Sequence, residues 1–187
     1  YLFSIINEKP REYTFDEAKE LVKKALSVLG DKYINDLNNA FTEKWIDIYN
    51  NKGKRGGAYS GGSYDTYPYV LLNFEGTLND VSTLAHELGH SMHSYYSRLN
   101  NSYQDSNYKI FVAEVASTVN ELLLSKYLLK NTSDKREKLI ILNNLLDLFK
   151  ATIFRQTMFA EFEKNIYEKH EKGEILTAEL LCNDYYE

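Results

Sequence analysis

The chain has 187 residues, 43% of them hydrophobic and 26% charged, with 22 basic against 27 acidic side chains. That is the make-up of a globular protein with one sizeable core, and it excludes a disordered chain. A net charge of −5 argues against a general nucleic-acid binder, and no apolar run approaches the ~18–20 residues that span a bilayer.

Only 2 prolines and 9 glycines punctuate the sequence, which points to a mainly α-helical fold, and tyrosines number 16. The lone Cys182 leaves no intrachain disulfide, fits a reducing compartment and makes a cytoplasmic location the expectation. Tyr stands at position 1, YLFSII is too short and lacks the basic flank of a signal peptide, and LTAELLCNDYYE stops inside a helical pattern. The expectation is a single partial domain over 1–187, a piece of a longer protein whose remainder is its partner.

Thr14 opens a capping box with Glu17, and Ala18, Leu21, Val22, Ala25, Leu26 and Leu29 follow at helical spacing up to Gly30. The next helical pattern runs from about Asp31 to Tyr49, with Tyr33, Ile34, Leu37, Phe41, Trp45, Ile46 and Tyr49 inward. Residues 51–69, NKGKRGGAYSGGSYDTYPY, hold five glycines between Gly53 and Gly62; taken alone, such a segment reads as a flexible connection. YVLLNF, residues 69–74, reads as a strand, which predicts a hairpin or a loop plus edge strand.

Asn79 or Asp80 can start a helix over about 80–99, with Val81, Leu84, Leu88, Met92, Tyr95 and Leu99 as its apolar stripe. A polar loop at 100–107 precedes a helix over about 108–129. NTSD, residues 131–134, caps a long helical stretch to about Lys172, Gly173 stops it, and a last helix starts near Thr177. Leu139, Leu142, Leu145, Leu146, Leu148 and Phe149 form a wide apolar face expected to pack in the core.

The third of these helices carries His86-Glu87-Leu88-Gly89-His90, an HExxH pattern. One helical turn separates the two imidazoles, so both can face one zinc ion. Glu87, roughly 100° further round, can reach a water at that ion and act as general base. A catalytic zinc needs a third protein ligand. His93, Glu114, Glu121, Glu75 and Asp105 are the candidates. Glu114 is the best of them on physical grounds, because it sits in the apolar IFVAEVASTVNELL, where a buried carboxylate needs a partner or a metal. His93 is badly spaced for the same ion; it is a supporting or substrate-facing group, or simply exposed. Glu121 lies two turns beyond Glu114 with Ser117 between; it either supports a ligand or is an ordinary helix carboxylate.

HELGHSMHSYYS, the later FVAEVAST and the upstream NKGKRGGAYSGGSYDTYPYVLLNF agree in order and spacing with one family. Together they resemble the M3 family of zinc metallopeptidases, in its oligoendopeptidase F branch, from about Phe15 to Leu180. The resemblance implies a helical catalytic domain around a channel for short peptides, holding one Zn2+ per chain. It implies His86, His90 and Glu114 as ligands and Glu87 as base. It also sets the glycine-rich segment (Gly57, Ala58 and Tyr59 among its candidate substrate contacts) and strand 67–73 along the cleft, where a peptide can pair by strand addition. The family's later Tyr and His segment has no counterpart here, so Tyr95, Tyr96, Tyr185 and Tyr186 are not given its oxyanion role. Two other readings stay open: a zinc hydrolase of another amide or ester, and a non-catalytic helical interaction module.

Overall fold

The computed structural model describes residues 11–186, so the expectation about YLFSII falls outside the described residues. They fall into two compact units that meet in sequence between Ile141 and Leu142. The fold is mainly helical with one small sheet, as the sparse breakers predict.

In the first unit, α1 (Phe15–Leu26) starts at the Thr14–Glu17 capping box, with both reciprocal hydrogen bonds made. Ala18, Val22 and Leu26 are fully buried. A single tight turn, Ser27–Leu29, leads to Gly30, whose φ of 94° suits a residue without Cβ. Leu29 comes to lie on the surface rather than in the core.

The second helix, α2 (Asp31–Thr42), is shorter than its apolar pattern. Lys44 takes a positive φ of 58° and breaks it. Trp45 is still buried, but Ile46 and Asp47 form a strand, β1 (Ile46–Asp47), and Tyr49 is exposed. The reason is tertiary: β1 pairs in parallel with β3 (Tyr69–Leu71), Ile46 opposite Val70. On its other side β3 pairs antiparallel with β2 (Tyr59–Gly61). The sheet order is therefore β1-β3-β2. The hairpin is present, but its second strand is central, and β2 is the edge.

The glycine-rich arm leading into β2 is not a loose connection. Lys54 Nζ, nearly fully buried, donates to the carbonyls of Asp47 and Tyr49 at 3.1 and 2.7 Å. Asn73 Nδ2 donates to the carbonyls of Arg55 and Gly57, both at 2.8 Å. Beyond β2, Arg98 donates to the Gly62 and Thr66 carbonyls, and the Tyr64 hydroxyl donates to that of Asn101. A Cβ at Gly62 would sit 2.4 Å from the Tyr67 carbonyl, so glycine is required where the arm folds onto itself.

The central helix α3 (Leu78–Asn100) starts two residues before its apolar pattern, at a Thr77–Asp80 capping box. Val81, Leu84, Leu88 and Met92 fill the core as the stripe predicts, Tyr95 packs on Trp45, and Leu99 is exposed. After the loop comes α4 (Ile110–Asn131), which packs along α3. The next helix, α5 (Lys135–Phe149), follows a turn in which Asp134 accepts from the Arg136 amide. Ile141 is buried, whereas Leu139 on the same helix is exposed.

In the second unit the helical path runs through a wider turn, Lys150–Phe154, into α6 (Arg155–Glu171). Gly173, at φ 83°, ends it, and Thr177 caps α7 (Ala178–Tyr186) by accepting from the Leu180 amide. Leu142, Leu146 and Phe149 are exposed and Leu145 and Leu148 half-buried, so the apolar face expected to pack in the core is only partly covered among the described residues. Tyr185 packs on Phe159 and Phe162, and Tyr186 is exposed.

Candidate metal centre

The helical spacing of His86 and His90 brings their Nε2 atoms to 3.1 Å from each other, with the rings nearly perpendicular. Glu114 of α4 places Oε2 3.4 Å from each of those two atoms. Three ligand atoms held tetrahedrally at roughly 2.0–2.1 Å from an ion stand roughly 3.3 Å apart. The donor set therefore has the spacing of three tetrahedral ligands, and it is the group among the described residues that could hold a metal ion. Glu75 and Asp105 are not in it. Glu114 is present for a different reason from the one its apolar surroundings indicate, since its side chain is half exposed rather than buried.

Every group that orients these donors comes from α4. Glu121 Oε2 lies 2.9 Å from His86 Nδ1, at a largely buried carboxylate, so it fixes the ring that the other nitrogen turns to the centre. His90 has a hydrogen bond to the main chain of Ala113. The fully buried Ser117 donates its hydroxyl to Glu114 Oε2 at 2.8 Å. The buried Asn120 ties the two helices by donating to the Ala85 carbonyl at 3.1 Å. Ser117 and Asn120 are invisible as site residues in the sequence, apart from their i+3 and i+6 offsets from Glu114 on one helix.

Burial and the neighbouring carboxylates oppose each other at the histidines and act together at Glu87. Burial lowers the His86 pKa, but the Glu121 hydrogen bond and the charges of Glu121, Glu87 and Glu114 outweigh it, and the net shift is upward. His90 is lowered, chiefly by burial. Glu87 is raised, first by burial and then by the Glu114 and Glu121 carboxylates, with His86 opposing. The Glu87 side chain is buried, and its Oε2 has no hydrogen-bond partner. A buried polar atom left orphaned costs free energy, so it marks a place where water or a ligand belongs.

Thr83, Glu87 and Ser91 lie on one side of α3 at four-residue intervals. Ser91 meets Ser60 of β2 hydroxyl to hydroxyl at 2.8 Å, and Thr83 lines a cavity together with Gly57 and Ala58. Tyr59 is exposed on β2. Gly57 and Ala58 thus share a cavity with Thr83 of α3, and no glycine-rich candidate belongs to the His86, His90 and Glu114 group. β3 has a partner on each side, so strand addition to it is not available; the outer edges belong to β1 and β2. His93 is not in the donor set. It stacks on Tyr108 at 3.8 Å, its pKa is lowered by burial, and its Nδ1 is buried without a partner.

Residues 7–187 match the model of peptidase family M3. The chain is 50% identical over 183 residues to the oligopeptidase PepF of Bacillus subtilis, covering 98% of this chain and 27% of that protein. It is 47% identical over 186 residues to the group B oligopeptidase PepB of Streptococcus agalactiae, covering 100% of this chain and 31% of that protein. A crystal structure from Chlamydophila abortus assigned to a peptidase superposes with a TM-score of 0.78 at 48% identity, over 95% of this chain and 31% of that one. The chain thus spans under a third of the length of these relatives. With the family model matched along nearly the whole chain, and HExxH and its distant glutamate meeting in space, the chain belongs to peptidase family M3.

Proposed function

We propose that the chain forms the zinc-binding part of an oligoendopeptidase, an enzyme that hydrolyses short peptides. One observation carries this reading: the His86, His90 and Glu114 donor atoms lie 3.1–3.4 Å apart beside a buried Glu87 whose Oε2 is unpartnered. His86, His90 and Glu114 are the proposed ligands of one Zn2+, and Glu87 the catalytic base. A zinc ion held there would supply Lewis acidity, polarising a carbonyl and lowering the pKa of a water toward neutrality.

The remaining steps belong to the chain's own residues. Glu121 holds the His86 ring, Ser117 holds the Glu114 carboxylate, and both keep the donors from collapsing onto each other. Glu87 accepts a proton from the attacking water at its carboxylate and passes it to the leaving amine. The free edge of β2 is the proposed place for an extended peptide to pair, with Gly57, Ala58 and Tyr59 beside it.

The names of the relatives support peptides as substrates, and their greater length supports the chain being part of a larger catalytic domain. No helix among the described residues is long and apolar enough to cross a membrane. A cytoplasmic location is proposed with the function, on the single cysteine and the family. The test is hydrolysis of short unstructured peptides by the natural protein, before and after chelation. Cleavage that is lost on chelation and restored by zinc supports the reading; cleavage unaffected by metal removal overturns it.

A further inference from the structure

A cavity of about 210 Å3 lies between the glycine-rich arm and the first turns of α3. Its floor is apolar, from the buried Leu72 and Phe74. Its rim is polar, with Asn79, Asp80 and Thr83 on the helix side. An apolar cavity of about 150 Å3 holds a benzene molecule, so this one holds a single peptide side chain. Thr83 places it one helical turn from Glu87, on the same side of α3. The arm forms its other wall, held there by Asn73.

The charge of the rim is one-sided. Among the described residues Asp80 is the one ionisable group lining the cavity, with no basic residue in that lining. Its Oδ2 is committed to the amides of Glu75 and Thr77 and to the Thr77 hydroxyl, so the carboxylate is fixed in place. Resting on the peptidase reading above, we propose that this cavity is a specificity subsite. It takes a substrate side chain with an apolar stem and a neutral or cationic tip, and it rejects carboxylates. The fixed charge of Asp80 sets that selection, and Thr83 and Asn79 stand beside it on the rim.

The test uses the natural protein and short peptides in which each position near the cleaved bond is varied between Gln, Lys and Glu. The expected wild-type result is that Glu at one position lowers kcat/KM by roughly tenfold relative to Gln, the size of effect one pocket contact supplies. Thr83→Lys reverses the preference at that position and at no other. Asn79→Lys, at an exposed site, shifts it in the same direction and decides the matter if Thr83→Lys does not fold. Wild-type Gln-to-Glu ratios at every position in a folded variant overturn the subsite. Failure of the wild-type protein to cleave any peptide is a different result: it overturns the peptidase reading itself.

Discussion

Gly89 of α3 and Ser117 of α4 stand in tight backbone contact between the helices that carry His86, His90 and Glu114. A Cβ built on Gly89 would lie 2.6 Å from Ser117 Cα and 2.8 Å from the Ala116 carbonyl oxygen. No backbone atom can yield by that much without moving a helix. The glycine inside the HELGH motif is therefore what lets Glu114, one turn before Ser117, reach His86 and His90.

Gly89→Ala is expected to push α3 and α4 apart. Overpacking of this kind costs roughly 1–3 kcal/mol, and the displaced Glu114 adds a loss of metal affinity. Urea denaturation alongside zinc titration measures both. Unchanged stability with unchanged zinc affinity would show that the crossing is looser than described.

Glu121→Gln keeps the size of the side chain and removes the charge that faces His86 Nδ1 at 2.9 Å. A change in such a supporting group typically lowers metal affinity or activity by ~10–100-fold. Competition with a zinc chelator reads it directly. An affinity equal to wild type would make Glu121 an ordinary helix carboxylate.

Glu87→Gln separates binding from turnover. Glu87 is not one of the three donors, so zinc content is expected to stay the same. Peptide hydrolysis is expected to fall by ~10²–10⁴-fold, the usual contribution of a general base. Near-normal turnover would remove Glu87 from the mechanism.

The Asp36–Tyr96 pair sets a pH window for stability. Lys32 at 2.6 Å and the Tyr96 hydroxyl at 2.8 Å hold the Asp36 carboxyl below its ordinary value. Burial and the Asp36 bond push the Tyr96 hydroxyl above its own. A depressed carboxylate contributes above its unfolded pKa of 3.8 and is lost as pH falls through the folded value. A raised phenol contributes below its unfolded pKa of 10.0 and is lost as pH rises. Tyr96→Phe is expected to flatten the alkaline limb and weaken the acid one, read as urea midpoints from pH 3 to 11. Identical pH profiles for the two proteins would refute the assignment.

The sequence makes the helices and the two histidines legible because both follow from local spacing. The Thr14 capping box, the Gly30 stop and the stripe from Val81 to Met92 are read without knowing any neighbour. β1 is not legible in this way. Trp45 and Ile46 continue the period of Leu37 and Phe41, and Ile46 starts a strand only because it pairs with Val70. The start of α3 is present in the sequence as Thr77 three residues before Asp80, but an Asp in place of Glu or Gln makes that box easy to miss.

The site divides along the same line. Glu114 can be named from its place in an apolar helix, yet its side chain is half exposed, so the burial argument that singles it out does not hold. Ser117 and Asn120 read as ordinary small and polar helix residues until α4 lies against α3. The glycine-rich arm reads as flexible until Lys54, Asn73 and Arg98 are seen to spend their donors on its carbonyls and those of the strand beside it.

Metal content tests the central claim most directly. Plasma mass spectrometry on dialysed protein is predicted to give about one zinc per chain, and Glu114→Ala, which removes one of three donors, is predicted to lose most of it. No zinc in the wild-type protein, or full zinc in Glu114→Ala, would contradict a centre built from His86, His90 and Glu114.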